Sequence, residues 1–334
     1  MKAGMYLGDF TYEVQDISDR DPVNDEVKIK VAWCGLCGTD IHKYQGKNGA
    51  SVVKPPIILG HECSGVVVEV GPDAKDYQIG DRVVCNPSFG CGKCSWCQEG
   101  LPNFCIDRHG VAKGFAEYVY PPEANVYHVP DNLDLESAAF AEPLSCAIHG
   151  MDLLEIKSGK TVVLYGLGAV GSLMLQLINL TGPHQIIVVE KEIAKKEIAL
   201  KLGADEVVDD MEIVKRSNAI NIDYVIECIG LKKTMEQSIE IAGKNSKVLL
   251  FGLGNEKEKI EFNQFEAYTK ELRIFTSYLN PLVTKRAIDL LASGRIDTKS
   301  IISAEFDLYE MKEEFKTLNN ARKGKVMVRL SGIK

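Results

Sequence analysis

Cysteines 91, 94, 97 and 105 stand in the run CGKCSWCQEGLPNFC, separated by two, two and seven residues. Three chemistries compete for such a cluster: paired disulfides, a metal site that reads nucleic acid, and a metal site that braces a loop of an enzyme. Thiolates are soft donors, and four of them close a tetrahedron around zinc with no vertex left for water, which makes a structural site. The short spacings let Cys91, Cys94 and Cys97 converge in a tight turn, and the longer gap lets Cys105 return as the fourth ligand. Disulfide pairing within CxxCxxC strains most of the possible bridges. A second, dispersed group offers Cys37, then His61 and Glu62 in LGHECSG, then Glu142 in AEPLSCAIHG. Mixed sulfur, nitrogen and oxygen donors suit a zinc that keeps an exchangeable position. Taken singly these residues read as a buried thiol, a core imidazole and surface charges; their joint occurrence is what points to a metal.

Composition narrows the choice. The chain has 334 residues, 45% hydrophobic and 26% charged, which suits about two folded domains. A formal net charge of −8 repels a phosphate backbone, so no nucleic-acid partner is expected. The opening MKAGMYLGDF carries no apolar run of signal-peptide length, and a cytoplasmic location is expected. In that reducing compartment ten cysteines point to metal ligation or packing more than to disulfides. The apolar run VVLYGLGAVGSLMLQLINL, 162 to 180, has the length of a membrane span but contains three glycines and a β-branched start. It reads as a strand over 161–165, a glycine turn and a buried helix from about Ala169, so no membrane association is expected.

From Met1 to about Ala147, short β-prone runs such as EVKIKVAWCG, CSGVVVEVG and DRVVCNP are broken by Gly, Pro and Asp. From about Gly159 strands alternate with helices: TVVLYG, a helix to Leu180, QIIVVE, a helix to Leu202, EVVDD, then DYVIECIG, KVLLFGLG and ELRIFTSY. About six strands in that rhythm predict an α/β fold with an open, doubly wound parallel sheet. After Pro281 the helix VTKRAIDLLASG and the tail KGKVMVRL read as a return to the first domain. The expected division is a β-rich domain over 1–147, completed by 285–334, and a sheet domain over 148–284.

Gly166, Gly168 and Gly171, with Ala169 and Val170 between them, form GLGAVG directly after a strand and at the start of a helix. The first glycine permits the tight turn, the second lets backbone approach a pyrophosphate, and the third lets helix pack on strand. Glu190 lies 24 residues after Gly166 at the end of the next strand, where a carboxylate accepts from ribose hydroxyls and repels a 2′-phosphate. NAD is therefore favoured over NADP, with Lys195 near enough to touch the cofactor and, with Lys191 and Lys196, to weaken the preference.

CGTDIH at 37–42, GHE at 60–62, the four-cysteine loop, AEPLS at 141–145, GLGAVG and the acidic residue after it together resemble the zinc-containing medium-chain dehydrogenase/reductase family. The likeness is greatest to its bacterial polyol branch, related to sorbitol and butanediol dehydrogenases. The resemblance implies a GroES-like catalytic domain, a Rossmann domain, an active site in the cleft between them, and two zinc ions per chain. It implies that Cys37, His61 and Glu62 ligate the catalytic zinc, with Glu142 binding it directly or through water. It assigns Thr39 to the reacting hydroxyl, His42 to passing the proton to solvent, and Tyr44 and Tyr118 to the substrate pocket. It also implies a homodimer or homotetramer. The implied reaction oxidises a secondary alcohol of a small-molecule polyol or sugar alcohol, free or phosphorylated, to the ketone. Sorbitol dehydrogenases carry an aromatic–arginine pair where this chain has Tyr278-Leu279-Asn280, which counts against sorbitol itself. L-threonine 3-dehydrogenases, which share CGTDIH and the KPP–GHE features, and short vicinal-diol dehydrogenases are the rivals. A non-enzymatic zinc-ribbon regulator is the reading from another class; it needs a basic patch, and CGKCSWCQEG supplies one lysine and one glutamate.

Overall fold

Val27–Leu36, VKIKVAWCGL, is β-branched and apolar along most of its length and is buried at eight of ten positions. A strand with both faces covered belongs at the centre of a sheet, and there it lies. The structure, a computed structural model, describes residues 1–47, 54–110, 113–316 and 324–333. Its chain divides into two units, Met1–Ser145 with Asn280–Lys334, and Cys146–Leu279. In the first unit the strands Val126–His128, Arg82–Cys85, Glu62–Val70, Val27–Leu36, Lys325–Arg329 and Ile302–Asp307 follow one another across the sheet. Tyr118–Val119 also pairs with the central strand. The C-terminal strand lies antiparallel to Val27–Leu36, with Val326 opposite Leu36 and Val328 opposite Cys34. On the other side Gly35 stands opposite Glu62. These registers bring Lys325, Gly35 and Glu62 to one end of three adjacent strands.

The second unit is a six-stranded parallel sheet in the spatial order Glu206–Val208, Gln185–Val189, Thr161–Tyr165, Tyr224–Glu227, Lys247–Leu250, Arg273–Thr276. All six strands expected from the alternation are present. Val163, Ile187, Val225 and Val248 are fully buried in its core. The earliest strand is central, and the sequence order reverses beside it, between Thr161–Tyr165 and Tyr224–Glu227. Such a switch point leaves a crevice at the carboxyl ends of the strands. The apolar run 162–180 becomes the central strand and the helix Ala169–Leu180, buried from Gly171 to Ile178. Among the described residues no helix is long and apolar enough to cross a membrane.

Candidate functional site

Cys37 caps the short helix Gly38–Tyr44 with extended backbone, φ −99° and ψ 156°. His61 follows Gly60, whose φ is +82° and whose added Cβ would meet the Phe115 nitrogen at 2.8 Å, so only glycine makes this bend comfortably. Glu62 then opens the strand Glu62–Val70. One ligand atom from each of Cys37, His61 and Glu62 lies within 4.8 Å of the others. Asp40, fully buried, ties the group together. Its Oδ2 accepts the Cys37 N–H at 3.1 Å, its Oδ1 accepts the Gly60 N–H at 2.9 Å, and Oδ1 lies 3.5 Å from His61 Nδ1. A carboxylate against one ring nitrogen orients an imidazole for ligation through the other and raises its basicity.

The local field suits a cation. Burial pulls His61 down, but the Asp40 charge and the Cys37 sulfur outweigh it and hold the imidazole well above its ordinary value. Glu62 is 1% exposed, and neither of its carboxylate oxygens accepts a hydrogen bond of normal geometry; the Lys325 ammonium forms an ion pair with Oε2. A buried carboxylate without hydrogen bonds is costly unless a metal or counter-ion satisfies it. Sulfur, imidazole and carboxylate together are a donor set that fits zinc.

Glu142 does not join this three-residue group; it lies in the first turn of the helix Ala141–Leu154, and its charge is felt at Lys325. Ser145 anchors that turn, donating to the Glu142 carbonyl at 2.6 Å and accepting from Asn280 Nδ2 at 2.6 Å. Thr39 and His42 share the helix that Cys37 caps, and both are partly exposed. Burial and then the Lys47 charge push His42 below its ordinary value, which keeps it neutral and able to accept a proton at neutral pH. The structure corrects the expectation for Tyr44. Its ring stacks on Phe315 at 4.7 Å, its hydroxyl donates to the Phe10 carbonyl at 2.7 Å, and it serves the core. Tyr118 lies on the strand beside Val27–Leu36, with its ring centre 5.0 Å from Lys28 Nζ.

Asp40 and Lys325 are the residues that sequence reasoning did not assign. For Asp40 a signal existed: it stands three residues after Cys37, the spacing of a capping box. Nothing in KGKVMVRL marks Lys325. Replacing Asp40 by Asn keeps the shape and removes the charge. We expect zinc affinity and kcat/KM to fall by about 10–100-fold, measured as zinc retained after dialysis and as initial rates.

The four-cysteine loop also comes together, with one sulfur from each of Cys91, Cys94, Cys97 and Cys105 within 4.8 Å of the rest. All four thiols are free of disulfides. Backbone N–H groups point at the sulfurs: Cys91 N–H to Cys105 Sγ at 3.2 Å, Cys94 N–H to Cys91 Sγ at 3.4 Å, and Asp107 N–H to Cys105 Sγ at 3.3 Å. The N–H of Cys97 and then that of Ile106 hold Cys94 down at about 6, whereas burial and its sulfur neighbours push Cys97 up to about 12. A cluster that stabilises some thiolates while resisting the last one is a cluster that wants a cation, and closed tetrahedral zinc fits.

In the second unit Gly166 has φ +86°, and a Cβ on Gly171 would lie 2.0 Å from the Gly166 carbonyl oxygen. A Cβ on Gly168 would meet nothing within 4 Å, so there is room for a ligand beside the backbone. The helix Ala169–Leu180 begins there with no side-chain cap, leaving the first-turn N–H groups around Ala169 and Val170 for an anion. The Glu190 carboxylate is fixed by the Leu167 N–H at 3.0 Å, the Lys191 N–H at 2.9 Å and the Glu192 N–H at 3.1 Å. Lys195 lies 3.5 Å from Glu190 and 3.4 Å from Glu192. Its ammonium is therefore engaged by carboxylates and does not stand ready for a cofactor phosphate.

Comparison with known proteins agrees with both units. Residues 23–131 match the alcohol dehydrogenase GroES-like domain, and residues 169–293 match the zinc-binding dehydrogenase family. D-arabinitol dehydrogenase 1 of Uromyces fabae is 33% identical over 303 residues, 87% of this chain and 86% of that protein. D-arabitol-phosphate dehydrogenase of Enterococcus avium is 33% identical over 331 residues, 94% of this chain and 92% of that one. The crystal structure of a zinc-binding dehydrogenase from Sinorhizobium meliloti, bound to NADP, has a TM-score of 0.91 at 34% identity over 98% of each chain. With matches across nearly its whole length, the chain belongs to the zinc-containing medium-chain dehydrogenases of the polyol type, oxidoreductases that act on CH–OH groups.

Proposed function

We propose that the protein oxidises a secondary hydroxyl of a polyol or sugar alcohol, free or phosphorylated, to the ketone and passes the hydride to NAD. The observation that carries this reading is the meeting of Cys37, His61 and Glu62, with Glu62 buried. Zinc held there would supply a Lewis acid, which brings the ionisation of a bound hydroxyl toward neutral pH. The chain's own groups do the rest. Asp40 sets the positions of Cys37 and His61; Thr39, two residues past Cys37, takes the hydroxyl proton; His42, neutral at pH 7, receives it and releases it to solvent. The glycine turn and the first-turn amides hold the pyrophosphate. The polyol relatives support the substrate class, and the net charge of −8 stands against a nucleic-acid partner.

A panel of polyols, polyol phosphates, vicinal diols and L-threonine, followed by NADH absorbance, tests the proposal. Turnover of one or more polyols is expected. Strong activity on threonine alone rejects the substrate class.

The preference for NAD rests on Glu190, whose carboxylate is fixed by three backbone N–H groups. Placing a 2′-phosphate against it is a like-charge contact. Glu190→Ala also releases Lys195 from one of its two carboxylate partners. The ratio of kcat/KM for NAD to that for NADP is expected to fall by about tenfold or more. An unchanged ratio would place cofactor choice elsewhere.

A further inference from the structure

Lys325 is 4% exposed, and its ammonium forms an ion pair with Glu62, which is 1% exposed. The charges acting on it are those of Glu62, Cys37 and Glu142, three of the four residues of the dispersed donor group. The sequence has also cleared space for the pair. A Cβ on Gly35 would lie 2.0 Å from Glu62 Oε2 and 2.6 Å from Lys325 Cε, so the central strand passes the pair with a bare Cα. A fully desolvated ion pair is a poor way to gain stability, since apolar residues of the same volume do as well or better. Nor does a fixed cation help a neighbouring site to attract a dication, because like charges repel most where water is excluded. The pair needs another reason.

We propose that Lys325 is a positioning residue of the metal centre: a built-in cation that competes with zinc for the Glu62 carboxylate, weakens its ligation and keeps one metal position exchangeable. This rests on the reading of Cys37, His61 and Glu62 as the zinc site. Cys37, His61 and Glu62 are the three donors of the site, and turnover at zinc requires that ligands can come and go beside them, which a loosely held third donor eases. Lys325 pairs with one oxygen of Glu62, Oε2, and the other, Oε1, accepts no hydrogen bond, so the carboxylate can be shared between the ammonium and a metal. The sign of the effect separates this role from packing. If Lys325 only fills space, its loss loosens the site and zinc leaves faster. If it competes for Glu62, its loss frees the carboxylate for the metal and zinc leaves more slowly.

The test uses the full-length holoprotein and Lys325→Met, which keeps the length of the side chain and removes its charge. Zinc release to a chromogenic chelator should slow by about tenfold or more at the Cys37 site, the ammonium no longer opposing the metal. Release from the four-cysteine site should be unchanged. The visible spectrum of the cobalt-substituted protein should shift as the ligand set changes. Lys325→Arg, which keeps the charge, should release zinc at the wild-type rate, and Lys325→Gln is the replacement should the methionine variant not fold. In a Glu62→Gln background, Lys325→Met should alter the release rate less than twofold. Faster or unchanged release in Lys325→Met, or equal slowing in the Glu62→Gln background, overturns the proposal. Those outcomes leave the zinc assignment standing. The assignment itself fails on a separate observation, a wild-type protein whose zinc content is the same as that of Cys37→Ser.

Discussion

His61→Ala is expected to lower kcat/KM for every alcohol substrate by on the order of 10³-fold or more, since a Lewis acid supplies several kcal/mol to the developing charge. The imidazole is largely buried and is held by Asp40 on one side. Asp40 itself keeps the N–H groups of Gly60 and Cys37, and it does not become an orphaned buried charge. The fold should therefore survive. Metal analysis should show one zinc per chain instead of two, with the survivor in the four-cysteine lobe. Near-normal turnover with one zinc lost would remove the catalytic assignment and with it the mechanism proposed above.

Much of this site is legible in the sequence because its chemistry is carried by residue types with few other uses in such spacing. The four-cysteine loop is local, and its geometry follows from its spacing alone. GLGAVG is legible for a similar reason: Gly166 needs a positive φ and Gly171 has no room for a Cβ, so the pattern reports backbone geometry directly. What sequence does not carry is register. Lys325 reaches Glu62 only because the last strand lies against Val27–Leu36, which in turn lies against Glu62–Val70. A buried lysine some 260 positions from its partner, the gap between 62 and 325, leaves no periodicity to detect. Tyr44 fails in the opposite direction. It shares a helix with Thr39 and His42, yet the 3.6-residue turn sends its ring into the core against Phe315, and neighbourhood in sequence misleads. The position of Lys195 after Glu190 suggests a cofactor contact, whereas the structure gives its charge to Glu190 and Glu192.

The second large effect concerns stability. Cys94→Ser is expected to expel zinc from the lobe 91–105, open that lobe to proteolysis and lower the temperature of thermal inactivation by on the order of 10 °C. Little of the lobe is buried. Its helix Ser95–Gln98 has four residues, a single turn, and isolated turns do not persist in water. Two of its large side chains face outward: Trp96 is 41% exposed and Phe104 47%, with their rings 5.6 Å apart. A segment with so little buried apolar surface depends on a staple. Cys94 is a suitable ligand to remove because two backbone N–H groups favour its thiolate. Serine keeps the size and loses that charge. Limited proteolysis, zinc content and inactivation temperature read the result together, and a variant as resistant to protease as the parent would mean that the lobe is held by contacts other than the metal. Turnover measured on the variant at low temperature should fall far less than in His61→Ala, because the two metal positions share no ligand and perform different tasks.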